Sequence, residues 1–289
     1  MVEDGKILSL GEMNDCPEQA DKVVSLEGQF VLPCFIDSHT HTVFQGYREH
    51  EFIDKIKGMT YEEIASKGGG ILQSAKRLQF ATEEELFDQA YERISRLIAQ
   101  GTGGIEIKSG YGLNLAAEEK MLRVIRRLKE RLPIPVKASF LGAHAYPDEF
   151  KNNHQGYVKE LIEHMIPTFS GEGLADYIDV FCERGFFTEE DTNRILEQGM
   201  KYGLKAKIHA NQLSNSGGVQ VGVKNRALSV DHLEVIGDEE IELLGGSETC
   251  ATLLPGCSFF IRIPYAPARR LIDANAIVSL ASDYNPGLS

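Results

Sequence analysis

The chain has 289 residues, 42% of them hydrophobic, with 43 acidic against 30 basic side chains and a formal net charge of -13. That length and apolar content suit one large core and exclude a disordered polymer. The acidic balance argues against a nucleic-acid or anionic-membrane surface. It leaves a small anionic substrate open, because one arginine in a pocket outweighs an outer field screened over about 10 Å.

The N-terminal stretch "MVEDGKILSL" is acidic where a signal peptide is basic. No apolar run approaches the roughly 18 residues that span a bilayer. The five cysteines form no CxxC pair and suit a reducing compartment. A soluble, cytoplasmic protein is expected.

Residues 1–30 offer two short β pieces, "KILSLG" and "KVVSLEG", too few for an independent sheet. From residue 31 onward, eight short β-rich runs alternate with helical stretches: "FVLPCFIDSHTH", "GGIEIKSGYG", "VKASFLGAHA", "YIDVFCERG", "KAKIHANQ", "ALSVDHLE", "TCATLLPG" and "AIVSLASDYN". Between them, "TEEELFDQAYERISRLIAQG" opens on a capping box of Thr82 and Glu85. "TEEDTNRILEQGMKYG" starts at Thr188, with Asp191 in the equivalent third position. "AAEEKMLRVIRRLKERL" places Glu118 and Glu119 near its start, Lys129 and Arg131 near its end, and stops before Pro133. "DEEIELLG" and "PARRLIDAN" supply shorter helices late in the chain. This alternation predicts a parallel (β/α)8 barrel over residues 31–289. Only "NPGLS" follows the last strand's "SDY", so an eighth helix is not expected and the barrel reads as truncated.

The active site of such a barrel lies at the carboxyl ends of its strands. Five of the eight histidines fall there: His39 and His41 on the first strand, His144 on the third, His209 on the fifth and His232 on the sixth, joined by Asp231 and by Asp283 on the eighth. In "FIDSHTHTVF" the spacing of two puts His39 and His41 on one face, about 6.6 Å apart along an extended strand. Three imidazoles and a carboxylate form an N3O set suited to one zinc or ferrous ion, and water bound to such an ion is acidic enough to yield hydroxide near neutral pH.

Asp283 can act as ligand and as proton shuttle, and His232 can polarise a carbonyl or hold an oxyanion. Asp37 can orient a histidine, touch the ion, or be an ordinary polar strand residue. Arg48, on the first βα loop, can pair with a substrate carboxylate. Tyr111 in "SGYG" and Asn285 in "DYNPG" are loop residues able to donate hydrogen bonds. The glycines of "KGGGI" lack the GK[ST] of a phosphate loop and read as a flexible loop or lid.

Together "LPCFIDSHTH", "HANQ", "VDHLE" and "ASDYNPG" resemble the amidohydrolase superfamily. More narrowly, "SHTHTVF", "EIKSGYGL", "FLGAHA", "GGVQVG", "ATLLPG" and "SDYNPG" resemble the imidazolonepropionases of histidine degradation. The resemblance implies hydrolysis of the ring amide of 4-imidazolone-5-propanoate to N-formimidoyl-L-glutamate, by hydroxide on one zinc or iron ion. It implies metal ligands His39, His41, His209 and Asp283, and catalytic roles for His232 and Asp283. Substrate contacts would fall on Arg48, Tyr111, His144, Gln212, Asn285, Gly287 and Leu288. It also implies a homodimer, and a small β-sandwich of which residues 1–30 would form part.

Two positions depart from that family pattern. Gln212 stands where many members carry Glu, which moves any general-base role to Asp283 or His232. Leu288 stands where a small hydroxyl residue is usual. The alternatives are another mononuclear cyclic-amide hydrolase of the superfamily, an aminohydrolase of the superfamily, which Gln212 argues against, and a truncated barrel that binds a ligand without turnover.

Overall fold

A computed structural model describes residues 1–17, 19–59, 63 and 68–287. The chain divides into two compact units, Met1–Pro33 and Cys34–Ser289. In the first, β1 (Val2–Glu3) and β2 (Lys6–Ile7) form a small antiparallel hairpin. Its turn places Asp4 and Gly5 at positive φ. The second expected β piece, "KVVSLEG", forms no strand; Val23, Val24 and Leu26 are exposed. A β-prone run without a pairing partner has nothing to bond its backbone and stays irregular.

The second unit is built on eight parallel strands in sequential order: β3 (Phe35–Asp37), β4 (Thr102–Lys108), β5 (Val136–Ala143), β6 (Tyr177–Cys182), β7 (Lys205–Ala210), β8 (Ser229–His232), β9 (Cys250–Leu253) and β10 (Val278–Leu280). Ladders join each neighbour from β3 to β10. Closure between β10 and β3 comes from one isolated bridge, Thr40 with Tyr284, and from two backbone bonds, Asp283 N–H to His39 O at 3.0 Å and His41 N–H to Tyr284 O at 2.8 Å. The fold is therefore a (β/α)8 barrel, with its seam drawn shut beside the residues that carry the chemistry.

Helices flank the strands where the capping signals place them. Among the described residues these include α1 (Glu49–Ile56), α2 (Gly70–Phe80), α3 (Glu83–Ala99) and α4 (Leu115–Arg131). The capping box at Thr82 is formed in full, and Thr188 accepts the N–H of Asp191. Two elements differ from expectation. Gly70 of the "GGG" run opens α2 rather than sitting in a loop, because its N–H is taken by the buried carboxylate of Glu51 at 2.7 Å. The residues after "TCATLL" turn at once into a helix, Pro255–Ile261, with Pro at the first position where no N–H is needed.

Strand side chains alternate cleanly. Ile105, Ile107, Ile178, Val180, Ala206, Ile208 and Val230 belong to the apolar core that includes helix residues such as Met121, Leu122, Ile125, Ile195 and Leu196. The intervening residues Glu106, Lys108, Asp179, Lys207 and Asp231 are buried as well. Lys108 of β4 reaches Asp179 of β6 at 2.7 Å, and Lys207 of β7 bonds Glu106 of β4. Strands that are not neighbours can touch only across the barrel's interior, so the lower barrel is filled by ion pairs rather than by branched aliphatic layers.

Candidate active site

Although the β3 ladder ends at Asp37, residues 39–41 stay extended. Thr40 Oγ1 donates to Glu106 O at 2.7 Å, its carbonyl accepts from Lys108 N–H at 2.8 Å, and its neighbours bond the 283–284 segment. His39 and His41 therefore share one face, as the alternation predicts. Asp37 does a different task from those considered: its Oδ1 accepts the N–H of Ser282 at 3.1 Å and lies 3.5 Å from the N–H of His39, tying the first strand to the last.

At the strand ends the rings of His39, His41 and His209 converge, with centroids 4.4 Å (39 to 209), 5.3 Å (39 to 41) and 5.6 Å (41 to 209) apart. One nitrogen from each lies within 4.8 Å of the others. Asp283 Oδ1 is 3.6 Å from His39 Nε2 and 3.5 Å from His41 Nε2. Asp283 sits at φ +53°, and Asn285 Nδ2 holds its Oδ1 at 3.1 Å.

Two of these imidazoles are oriented from behind. His39 Nδ1 lies 2.7 Å from Asp231 Oδ2, and His209 Nδ1 lies 3.0 Å from Asp179 Oδ1. Carboxylates in those places make Nδ1 the protonated nitrogen and leave Nε2 as a lone pair facing inward. Both Nε2 atoms are buried and have no hydrogen-bond partner among the described residues. Burial pushes the pKa values of His39, His41 and His209 well below the usual imidazole value, so all three are neutral. A metal–nitrogen bond of about 2.0–2.1 Å puts tetrahedral neighbours about 3.4 Å apart. The two Asp283 distances match that spacing. Neutral buried imidazoles with unused lone pairs, a carboxylate and carboxylate-backed Nδ1–H groups fit a divalent ion.

Beneath them Lys108 is wholly buried, with its ammonium 2.6 Å from Glu106, 2.7 Å from Asp179 and 3.7 Å from Asp231. Burial favours the neutral amine, yet the three carboxylates outweigh it and hold the lysine above its ordinary pKa. The same lysine, with Lys207, overcomes the burial of Asp231 and keeps that carboxyl below its usual value. The network therefore keeps the residue that orients His39 ionised.

His232 ends β8 at the rim, with φ +89° and Leu233 at +70°. Non-glycine residues are strained there. Burial lowers its pKa, but Glu234 at 3.6 Å, with Asp283 and Asp231, raises it on balance. His144 differs: its Nδ1 lies 3.0 Å from Gly110 O, an acceptor only, so Nδ1 carries the proton and Nε2 accepts. Burial lowers its pKa to about 4, and its ring stacks on His41 at 5.3 Å.

His41, His144, His209, His232 and Asp283 line one cavity, together with Arg48, Glu51, Lys55, Tyr111, Gln212, Cys257, Asn285 and Gly287. Arg48 is held by Ser74 Oγ (2.6 Å) and Glu51 Oε2 (3.1 Å), and its N–H bonds Pro286 O. Gly287 lies so close to the Arg48 guanidinium that any side chain there would displace it. Gln212 Nε2 contacts Cys257 Sγ at 3.3 Å. All the site residues expected from the sequence face this cavity or its imidazole cluster except Leu288, which lies outside the described residues.

Several contributors were not singled out beforehand. Glu118, buried in α4, accepts the N–H groups of Gly110, Gly112 and Leu113 and so folds the loop that carries Tyr111. Gly110 is at φ +103°, with Leu141 O close behind, and admits no side chain.

Comparison with known proteins separates the candidate readings. No family model matches the chain. A curated imidazolonepropionase of Flavobacterium johnsoniae is 51% identical over 288 residues, 99% of this chain and 70% of that protein. The chain belongs to the imidazolonepropionase family. A second member, from Burkholderia ambifaria (strain MC40-6), is 46% identical over 265 residues, 91% of this chain and 65% of its own.

Among solved structures, 5-methylcytosine deaminase of Klebsiella pneumoniae with 5-fluorocytosine aligns with TM-score 0.66 at 15% identity, covering 92% of this chain and 68% of its own. A Zn-bound amidohydrolase of Burkholderia ambifaria gives 0.62 at 14% identity, covering 88% and 78%. At such identity these two speak for the amidohydrolase barrel alone. Among the described residues, no helix of this family member is long and apolar enough to cross a membrane.

Proposed function

We propose that this chain hydrolyses the ring amide of 4-imidazolone-5-propanoate to N-formimidoyl-L-glutamate, using one divalent ion, zinc or iron, held by His39, His41, His209 and Asp283. The observation that carries this reading is the pair of buried, unpartnered Nε2 atoms of His39 and His209. His209 lines a cavity whose rim holds Arg48, and the His39 ring packs against it, in a chain of this family. A single ion is favoured because Lys108 and Lys207 are both engaged by carboxylates and neither is left to bridge two metals.

Such an ion polarises the ring carbonyl and acidifies the attacking water. Water adds to the carbonyl carbon, the ring C–N bond breaks, and the departing nitrogen takes a proton. Asp283 stands beside His39 and His41 and can receive the water's proton and return it to that nitrogen. His232, its imidazolium form favoured by Glu234, donates to the negative charge growing on the carbonyl oxygen. Tyr111, His144 Nε2, Gln212 and Asn285 hydrogen-bond the ring. Gln212 is neutral, so it orients the substrate and takes no proton. Arg48, pre-set by Ser74 and Glu51, holds the propanoate.

The test is incubation of the metal-loaded protein with 4-imidazolone-5-propanoate, following loss of the ring chromophore and appearance of N-formimidoyl-L-glutamate. Stoichiometric product with about one ion per chain is expected; intact substrate in the presence of bound metal would overturn the reading.

A further inference from the structure

Lys55 was not among the residues singled out from the sequence, and no metal or ring contact described above uses it. It lies on α1, is only 7% exposed, and lines the same cavity as Arg48 and His144. Among the described residues its ammonium meets no carboxylate or carbonyl at hydrogen-bond distance. It stands over the ring of Phe260, 4.9 Å from the centroid. Holding an ammonium in a largely buried place is costly; burial lowers its pKa, with the nearby Glu51 charge acting against that shift.

The nearest acid on the same helix is Glu51, one turn earlier, and it is already engaged. Its Oε2 takes Arg48 Nε at 3.1 Å and its Oε1 takes the N–H of Gly70 at 2.7 Å. Arg48, Lys55 and Glu51 together carry one net positive charge, and among the described residues Lys55 is the cation of the three with no hydrogen bond to an anion. A substrate tail with one carboxylate would neutralise that charge. A neutral tail would leave the ammonium buried and uncompensated.

We propose that Lys55 is a second cationic contact for the substrate's anionic tail and that it contributes to the preference for a carboxylate over a neutral group. This inference rests on the hydrolase reading above, and binding is the readout that keeps the two separable. The probes are 3-(imidazol-4-yl)propanoate, which cannot be hydrolysed, and its neutral amide, titrated calorimetrically into metal-loaded wild type, K55M and K55R.

Wild type should prefer the acid. K55M should bind the acid roughly 10- to 100-fold more weakly, as expected for one lost charge-assisted contact. Its affinity for the amide and its metal content should be unchanged, and K55R should recover most of the acid affinity. K55Q is carried in parallel in case methionine at this buried position disturbs folding. Equal acid affinity in wild type and a folded, charge-neutral variant overturns the proposal, as does a wild type that binds acid and amide alike. A wild type that prefers the acid but leaves imidazolone propanoate intact instead overturns the hydrolase reading alone.

Discussion

The two ends of the cavity are built by different means. At the end proposed to hold the metal, His39, His41 and His209 stand on or just beyond strands, and buried carboxylates fix the rings of His39 and His209 from behind. Those carboxylates are themselves held by Lys108 and Lys207 inside the barrel. At the tail end, Arg48, Glu51 and Lys55 stand on a loop and one short helix, α1, and Arg48 is held by Glu51 and Ser74 of the same βα segment and by Pro286 and Gly287 beyond the last strand. Strand-borne groups fix the reacting atoms within a fraction of an ångström, whereas loop-borne groups choose which molecule enters.

Substitutions at the two ends should therefore fail differently. His209→Ala removes a proposed ligand from the rigid end. Metal content should fall from about one ion per chain to near zero, and turnover by at least about 1,000-fold, read by elemental analysis beside the assay. Lys108→Met leaves Glu106, Asp179 and Asp231 with one cation fewer. Denaturant unfolding should show a loss of about 3–5 kcal/mol, the usual penalty for breaking a buried charge network from one side.

Arg48→Met acts at the other end. KM should rise by about 100-fold with metal content unchanged, a split that no substitution at the metal end should reproduce. Asp179→Asn keeps the shape but weakens the hold on His209, and chelator competition should report about 10- to 100-fold weaker metal binding.

The smallest effect is an acid slope in the stability of chelated protein. His144 is lowered to about 4, chiefly by burial, from an unfolded value near 6.5. Its contribution is complete above pH 6.5 and is lost as pH falls toward 4, because only the unfolded state binds the proton in that window. His39, His41 and His209 shift the same way. His232 is raised, and its contribution has the opposite sign, present below the unfolded value and lost as pH rises through the folded one. Each group adds at most about 1.4 kcal/mol per pH unit. Asp37, Glu118 and Asp283, raised by burial, oppose this slope as His232 does; urea melts from pH 7 to 4.5 should still show stability falling as pH falls, and a flat or rising profile would mean that the buried imidazoles do not outweigh these groups.

Much of this was legible in the chain. The eight strands follow from β-rich runs between capping signals, and the strand-end histidines mark the metal end because barrels expose that rim. The interior ion pairs left a signal too: in "IEIK", "YIDV", "KAKIH" and "SVDH" charged residues alternate with apolar ones. Alternation ordinarily means one wet face, and only closure of the sheet shows that both faces are buried. Lys55 and Glu51 had no such mark, since a lysine and a glutamate on a short helix normally face solvent. Glu118 read as a dipole-complementing acid and is that as well, but its main partners are three backbone N–H groups of the loop before it. Residues 22–28 have the composition of a strand, and pairing, which composition does not encode, is what they lack.

Anomalous diffraction from metal-loaded crystals, recorded on either side of the zinc or iron edge, addresses the metal assignment most directly. One peak is expected, within bonding distance of the imidazoles of His39, His41 and His209 and of the Asp283 carboxylate. A peak among His232, Glu234 and Cys257, another group of buried side chains among the described residues close enough together to hold an ion, or no peak in turnover-competent crystals, would contradict it.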